Sequence, residues 1–183
     1  AGLLLLYSST GHGEGMDRLA QLAKQKGRLN IAFICLFLRG KTDECLDLLL
    51  AADRAPEAAF MARTYRPSRC SEMVAVWKEQ LAKKNPKAAE AIADPAEYPN
   101  LFEGFEYALK AEKWLESHRL HEAPASTYPE HALDNDSDLI EYMKQLELNP
   151  PAEGGEGGAE GGEGGAEGGE GGAEGGEGGA EGG

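Results

Sequence analysis

Three glycines, Gly11, Gly13 and Gly15, alternate with other residues near the start of the chain and could form a loop that cradles phosphate. A Walker-type phosphate loop requires a Lys and then a Ser or Thr after its last glycine, but Met16 and Asp17 follow here. The dinucleotide-binding pattern requires a preceding strand, and the residues before Gly11 have the pattern of a helix end. We interpret the three glycines as a joint between two helices.

Two histidines offer the pattern that comes nearest to a metal site. His118 and His121 stand three residues apart, near Glu116 and Glu122, so a helix would place both imidazoles on one face. A structural zinc site requires further ligands at recognisable spacing, and the nearest cysteine is Cys70. The sequence therefore predicts no metal site here.

The candidate nucleophiles also lack the motifs that activate them. Ser8 and Ser9 have no GxSxG elbow around them. The three cysteines have no CxxC spacing and lie on apolar helical faces, which favours small buried residues in a reducing compartment: Cys35, Cys45 and Cys70. The sequence accordingly predicts no catalytic, cofactor-binding or metal-binding residue and no cofactor, and it predicts that the chain is not an enzyme.

Composition separates the chain into two unlike parts. The 183 residues carry a formal net charge of −14, but residues 152–183 hold 9 of the 32 acidic residues and no basic one. Without that stretch, 23 acidic and 18 basic residues leave a charge of −5. The sequence contains no basic stripe of the kind that binds nucleic acid. No apolar stretch is long enough for a transmembrane helix or a signal peptide. We interpret the opening AGLLLL as a cut through a helix, which would make the chain the C-terminal piece of a longer protein.

The apolar residues are spaced as in stacked helices. Apolar stretches at 19–23, 31–38 and 45–52 are separated by short polar corners, which is typical of antiparallel helix hairpins. An offset of 26 residues superposes four pairs of like residues: Asp17 and Asp43, Leu22 and Leu48, Arg28 and Arg54, Ala32 and Ala58. Repeated helix pairs predict an all-α solenoid of the tetratricopeptide-like (TPR-like) type, an architecture that mostly holds partners.

Local patterns add detail to this prediction. The uncharged segment 29–38 could be a buried strand, but its helical neighbours favour a helix sandwiched between two layers. Thr42 and Ser68 are predicted N-caps. Several faces are predicted to be buried: Met16, Leu19, Leu22 and Ala23; Cys45, Leu48, Leu49 and Ala52; Ala55, Ala58, Ala59 and Ala62, with Phe60 and Met61 filling gaps; and Cys70, Val74, Trp77 and Leu81.

Three regions follow from these patterns. Residues 1–120 are predicted to form the solenoid. Residues 121–151 are predicted to be a loop or wrapping segment, with a candidate final helix at 138–148. Residues 152–183 repeat EGGEGGA and contain no apolar residue larger than alanine, so they are predicted to form a disordered tail.

Specific segments resemble a known family. Four segments are similar to the beta-prime subunit family of coatomer: AGLLLLYSSTG at 1–11, NIAFICLFLRGKTDECLDLL at 30–49, EAAFMARTYRPS at 57–68 and VWKEQLAKKNPKAAEAIADPAEYPNLF at 76–102. The resemblance extends over about residues 1–114 with the order and spacing kept, and PASTYP at 124–129 still fits. The EGGEGGA tail departs from the family pattern.

The resemblance implies a structural subunit of the COPI vesicle coat. Members of this family carry two beta-propellers before an alpha-solenoid, form the coat cage with alpha-COP and other coatomer subunits, and act in Golgi-to-ER and intra-Golgi transport. The implied location is the cytoplasm, at the cytosolic face of Golgi membranes and COPI-coated vesicles, with peripheral membrane association through the coat. This chain contains no propeller repeat, so the cargo-binding role of the family's propellers is not expected here.

The residues leave other hypotheses open. The main alternative is a TPR-like adaptor unrelated to coats that grips a peptide in its groove, which would favour repeated Asn, Lys and Arg on a concave face. Candidate partner anchors are the large aromatic side chains Trp77, Trp114, Tyr65 and Tyr98, with Trp114 preferred because Trp77 lies on a predicted core stripe. The basic string KKNPK at 83–87 is interpreted as a solvated corner.

Overall fold

The computed structural model describes residues 2–118, 123–131 and 137–148, all within one unit that spans Ala1–Pro150. The described residues form helices and contain no β-strand. The α-helices are α1 (Gly2–Ser9), α2 (Gly13–Gln25), α3 (Leu29–Leu38), α4 (Thr42–Ala51), α5 (Ala55–Tyr65), α6 (Cys70–Ala82), α7 (Pro86–Glu90), α8 (Phe105–Ser117) and α9 (Leu139–Leu148). Short 3₁₀ helices span Pro67–Arg69, Pro99–Leu101 and Ala125–His131.

The helices pack mainly on their neighbours in the sequence, which is the arrangement of a solenoid. Each helix from α1 to α6 contacts the next one along the chain. The all-α fold predicted from the sequence is confirmed, and segment 29–38 is the helix α3 rather than a strand. The predicted division at residues 120 and 151 stays a prediction, since residues 149–183 lie outside the described part of the chain.

The first four helices end in the same left-handed turn. The residue after each helical C-cap has a positive φ of 58–65°, and the next residue donates its backbone N–H to the carbonyl five residues earlier at 2.8–2.9 Å. This is the Schellman arrangement, which satisfies carbonyls at the helix end and reverses the chain. The four left-handed residues are Gly11, Gly27, Gly40 and Asp53.

The 26-residue repeat is structural as well as sequential. Gly27 and Asp53 are equivalent left-handed residues, and Arg28 and Arg54 follow them as the N-cap residues of α3 and α5. Ala32 and its equivalent, Ala58, are both fully buried. The same turn therefore starts the same kind of buried helix in both repeats.

A carboxylate on α2 and its equivalent on α4 each connect their helix to the corner that follows the next helix. Asp17 of α2 accepts hydrogen bonds from Arg39 at 3.1 and 3.2 Å and pairs with Lys41 at 2.9 Å. The equivalent Asp43 of α4 pairs with Arg66 at 3.2 Å and with Arg69 at 3.4 Å. These two ion-pair rungs repeat at the 26-residue spacing on the carboxylate side.

The first rung favours the ionised form of its carboxylate. Burial raises the pKa of Asp17, but hydrogen bonds and charge from Arg39 and Lys41 outweigh burial and hold that pKa below its ordinary value. The stabilisation from this rung is therefore present above the unfolded pKa and is lost as pH falls through the folded pKa.

Small side chains make up much of the helix interfaces. The stripe Ala55, Ala58, Ala59 and Ala62 of α5 is buried as predicted, and it allows neighbouring helices to approach closely. The largest fully buried side chains are Leu36, Leu46 and Met73, which lie on three different helices of the same core. No helix in the described ranges is long and apolar enough to cross a membrane.

Several local predictions are wrong. Thr42 is the first residue of α4, and Lys41 occupies its N-cap position without a capping side-chain bond. Leu22 and Phe60 are exposed rather than buried. Trp77 and Leu81 are only half-buried, because the core below α6 is filled by Met73 together with Cys70 and Val74.

A buried carboxylate joins α8 to the corner between α5 and α6. Glu112 accepts a hydrogen bond from the Ser68 N–H at 2.7 Å and another from the Ser68 hydroxyl at 2.6 Å, and it pairs with Arg66 at 2.7 Å. Arg66 also pairs with the more exposed Glu116. Ser68, predicted to cap α6, instead serves this contact, which we call the Glu112 clasp.

The helices after α7 return to the corner between α5 and α6. Helix α8 contacts the 3₁₀ turn Pro67–Arg69, and α9 then packs on α8. The 3₁₀ segment Ala125–His131 contacts α1. Helix α9, Leu139–Leu148, occupies the region of the candidate final helix at 138–148.

Replacing Gly27 with Ala should lower the free energy of unfolding by about 1 kcal/mol, because an L side chain is strained in the left-handed conformation. A Cβ at Gly27 would meet no atom within 4 Å, so the cost would be conformational rather than steric. Urea unfolding of the full chain measures this change. The matched variant Asp53→Gly should cause no loss, and equal losses in both variants would contradict the repeated-turn interpretation.

Replacing Glu112 with Gln should lower the free energy of unfolding by about 1–3 kcal/mol, since it leaves buried donors poorly matched. Glu116→Gln is the control on the same helix and the same arginine, with a side chain that is 55% exposed. That variant should cost less than about 1 kcal/mol, as exposed pairs usually do. Equal losses would show that the clasp has no special role.

Candidate partner-binding surface

An apolar groove lies between α3 and α5, above α4. Helix α3 contributes one face, Asn30, Phe33, Ile34 and Phe37, and α5 contributes another, Arg54, Glu57, Met61 and Tyr65. Leu49 of α4 completes the lining, and the cavity measures about 480 Å³. The residue spacing on both helices follows the helical period, so the groove runs along two adjacent helices that begin one repeat apart.

Aromatic rings mark the end of the groove where both helices finish. Phe33 and Phe37 stack with centroids 6.1 Å apart, and Phe37 meets the ring of Tyr65 edge-on at 5.1 Å. Tyr65 is the last residue of α5. The side chains that remain accessible are apolar or aromatic, with Ile34 43%, Phe37 36% and Tyr65 52% exposed.

The groove carries little charge. Its two charged lining residues, Arg54 and Glu57, pair with each other at 3.0 Å. The hydrogen bond from Arg54 lowers the pKa of Glu57, which keeps this pair ionised and mutually neutralised. A neutral groove with aromatic anchors suits the apolar face of a partner helix.

The four aromatic residues proposed as anchors do not lie together. Tyr65 lines the groove, whereas Trp77 packs beside Phe60 with centroids 5.7 Å apart. Trp114 stacks on His118 at 4.1 Å and meets Tyr142 of α9 edge-on at 5.8 Å. Tyr98 is exposed outside the groove. Trp114 is half-buried between His118 and Tyr142, whereas Tyr65 is 52% exposed.

The groove is not predicted by the sequence patterns, although the uncharged helix α3 contains a signal for it. Helix α3 contains no charged residue and its only polar side chain is Asn30, which led to the expectation of a helix covered on both sides. Only Ala32, Cys35 and Leu36 are buried. Three of the uncovered apolar side chains of α3, Phe33, Ile34 and Phe37, line the groove, whereas Leu38 is exposed outside it.

The glycine-rich joint lets elements approach closely. A Cβ at Gly15 would lie 2.9 Å from the Tyr7 ring, and one at Gly13 would lie 2.6 Å from the Arg39 guanidinium. A Cβ at Gly11 would lie 2.7 Å from the Ala123 backbone. Close packing of α1, α2 and the later segment therefore accounts for Gly11 and Gly15, whereas the flexible end of the Arg39 side chain is what a Cβ at Gly13 would displace.

The histidine pair is only partly described. His118 stacks on Trp114, and its Nδ1 lies 2.8 Å from the Trp114 carbonyl oxygen and 2.9 Å from the Ser117 hydroxyl. His121 lies outside the described residues. Within the described ranges, no group of three His, Cys, Asp or Glu side chains is arranged to hold a metal.

The three cysteines have the environment of packing residues. Cys35, Cys45 and Cys70 are buried and free of disulfides. Burial raises the pKa of Cys45 to about 11, and the Glu44 carboxylate adds to that effect. Burial also raises the pKa of Cys35 and of Cys70. A raised pKa leaves little thiolate at neutral pH, which is the opposite of an activated nucleophile.

Comparison with known proteins first gives a family model that agrees with the all-α fold, and then relatives that identify a more specific family. Residues 1–78 match the family model described as COPA/B TPR domain, so this part is a tetratricopeptide-type solenoid of the coat-protein class. The chain is 52% identical over 148 residues to coatomer subunit beta'-1 of Oryza sativa subsp. japonica and 50% identical over 148 residues to coatomer subunit beta'-3 of Arabidopsis thaliana. It is 43% identical over 150 residues to coatomer subunit beta' of Mus musculus.

These matches cover 81–82% of this chain and 16–17% of each relative. The chain belongs to the coatomer beta-prime family and corresponds to about a sixth of the length of these relatives. No solved structure gave a significant match.

In the folded chain, all three thiols should react slowly with an aromatic disulfide reagent at neutral pH, because they are buried and their pKa values are raised. The reaction is followed by absorbance with and without guanidinium. Full and rapid reaction of three thiols is expected only in denaturant. One fast thiol in the folded protein would contradict the packing role and would reopen a nucleophilic one.

Proposed function

We propose that this chain is a non-catalytic structural segment of the COPI vesicle coat, acting in Golgi-to-ER and intra-Golgi transport. The observation that carries the proposal is its 43–52% identity to proteins named coatomer subunit beta' over four-fifths of its length. Its place would be the cytoplasm, at the cytosolic face of Golgi membranes and coated vesicles. The chain spans about a sixth of these relatives and forms an all-α solenoid, so the role proposed for it is that of a cage scaffold.

The proposed mechanism is geometric. Repeated left-handed turns and the ion-pair rungs of Asp17 and Asp43 hold successive helices at fixed angles, so the solenoid keeps a set curvature. Such a rod can space other parts of a coat over a membrane. The groove between α3 and α5 then supplies an apolar contact for another solenoid, for which we propose alpha-COP within a larger set of coatomer subunits.

A peptide-gripping adaptor is less well supported. That function would use several polar and basic side chains to hold a peptide backbone or its carboxylates. The α3–α5 groove offers Asn30 and Arg54, and Arg54 is already paired with Glu57. An apolar helix–helix contact uses what the groove contains, which favours assembly over peptide capture.

Replacing Ile34 with Glu should reduce co-purification of the full chain with the alpha-COP solenoid by at least about tenfold, because it places an unpaired charge in an apolar contact. The matched control is Leu22→Glu on α2, which changes a leucine of similar exposure outside the groove. That variant should bind like the unmodified chain.

Circular dichroism and a melting curve should show that both variants keep their helices. If Ile34→Glu binds alpha-COP as well as Leu22→Glu does, the contact lies elsewhere on the solenoid. If the unmodified chain fails to bind, the proposed partner is wrong for this segment.

A further inference from the structure

A second cleft lies where the start of α5 meets the end of α6. It is lined by Asp53, Pro56, Trp77, Gln80, Leu81, Lys83 and Lys84 and measures about 400 Å³. It shares no lining residue with the α3–α5 groove. It is therefore a separate surface, and its lining contains two lysines where the lining of the α3–α5 groove is mainly apolar.

The floor of this cleft is apolar and aromatic. Trp77 is half-buried and its ring lies 5.7 Å from that of Phe60, which is 60% exposed. Pro56 and Leu81 border the same space. A partly covered tryptophan with an exposed aromatic neighbour is a typical anchor for an inserted side chain.

The rim carries an excess of positive charge. Lys84 has no ion-pair partner among the described residues, and Lys83 pairs only with Glu79, at 3.0 Å between side chains that are 69% and 73% exposed. An exposed pair of this kind is worth about 0–1 kcal/mol and is easily exchanged. Asp53 is the one carboxylate of the lining. Within the lining, two lysines face one carboxylate, and Glu79 beside Lys83 lies outside the lining, so Lys84 is the lysine left without a paired carboxylate.

We propose that this cleft binds an acidic segment of a partner protein, which places an apolar side chain over Trp77 and pairs its carboxylates with Lys83 and Lys84. The charge of the lysines selects the acidic residues, and the floor selects the apolar one. A nucleic acid fits less well, because the cleft offers two lysines rather than the extended basic stripe that a phosphate backbone requires. The inference does not depend on the identity of the coat partner.

The test uses the full chain carrying Trp114→Phe, which leaves Trp77 as the only tryptophan. The probe is a short peptide in which Glu alternates with Phe and Leu, and the control peptide has the same charge with Gly in place of Phe and Leu. We expect the probe to shift Trp77 emission and to bind at least about tenfold more tightly than the control peptide.

Charge-reversal variants locate the binding. Lys83→Glu with Lys84→Glu should weaken probe binding by at least about tenfold. Lys26→Glu with Lys113→Glu makes the same change in net charge at exposed lysines outside the cleft, and should change binding by less than about threefold.

Three results would overturn the proposal. Equal weakening by both charge reversals would indicate general electrostatics, and equal binding of the two peptides would remove the role of the apolar floor. Preferential binding of a single-stranded oligonucleotide would assign the lysines to a different class of ligand.

Discussion

The left-handed turn that ends each early helix is the constraint on which the rest of the solenoid depends. It forces the chain to reverse within three residues, so that the next helix returns antiparallel along the previous one. Because the turn recurs at Gly27 and Asp53, α3 and α5 begin in the same relation to the stack. The groove between these two helices is a direct result of that equivalence.

Electrostatics then fixes what the turns allow. Asp17 pairs with Arg39 and Lys41, which lie at the corner between α3 and α4. Asp43 pairs with Arg66 and Arg69 at the corner between α5 and α6. These residues are partly shielded from water, so the pairs resist salt better than exposed pairs do. Arg66 belongs to two systems, the second rung and the Glu112 clasp, and it links the repeats to the helices that follow.

Much of the fold could be predicted from the sequence because local residue patterns determine where each helix begins and ends. Gly27 and Gly40 mark helix ends through backbone freedom, and Pro56 marks a start through its fixed φ. What the sequence could not give is the choice among equally apolar faces. Ile34 and Phe37 are as apolar as Leu36, and only the packing of α4 and α5 decides which of them is covered. Ser68 shows the same limit: its capping chemistry is real, but a carboxylate 44 residues away in α8 uses it instead.

The Glu112 clasp also determines how this segment would carry a mechanical load. Contacts along α1–α6 are mainly between neighbours in the sequence, so an extending force passes through these helices largely one after another. The clasp joins residues 68 and 112 directly and closes α6 and α7 inside a loop. A force applied between α5 and α8 is therefore not transmitted through α6 and α7 until the contact between Glu112 and Ser68 breaks. The compliance of the segment is thus divided between the helices before residue 66 and a length that stays enclosed while the contacts of Glu112 and Glu116 hold.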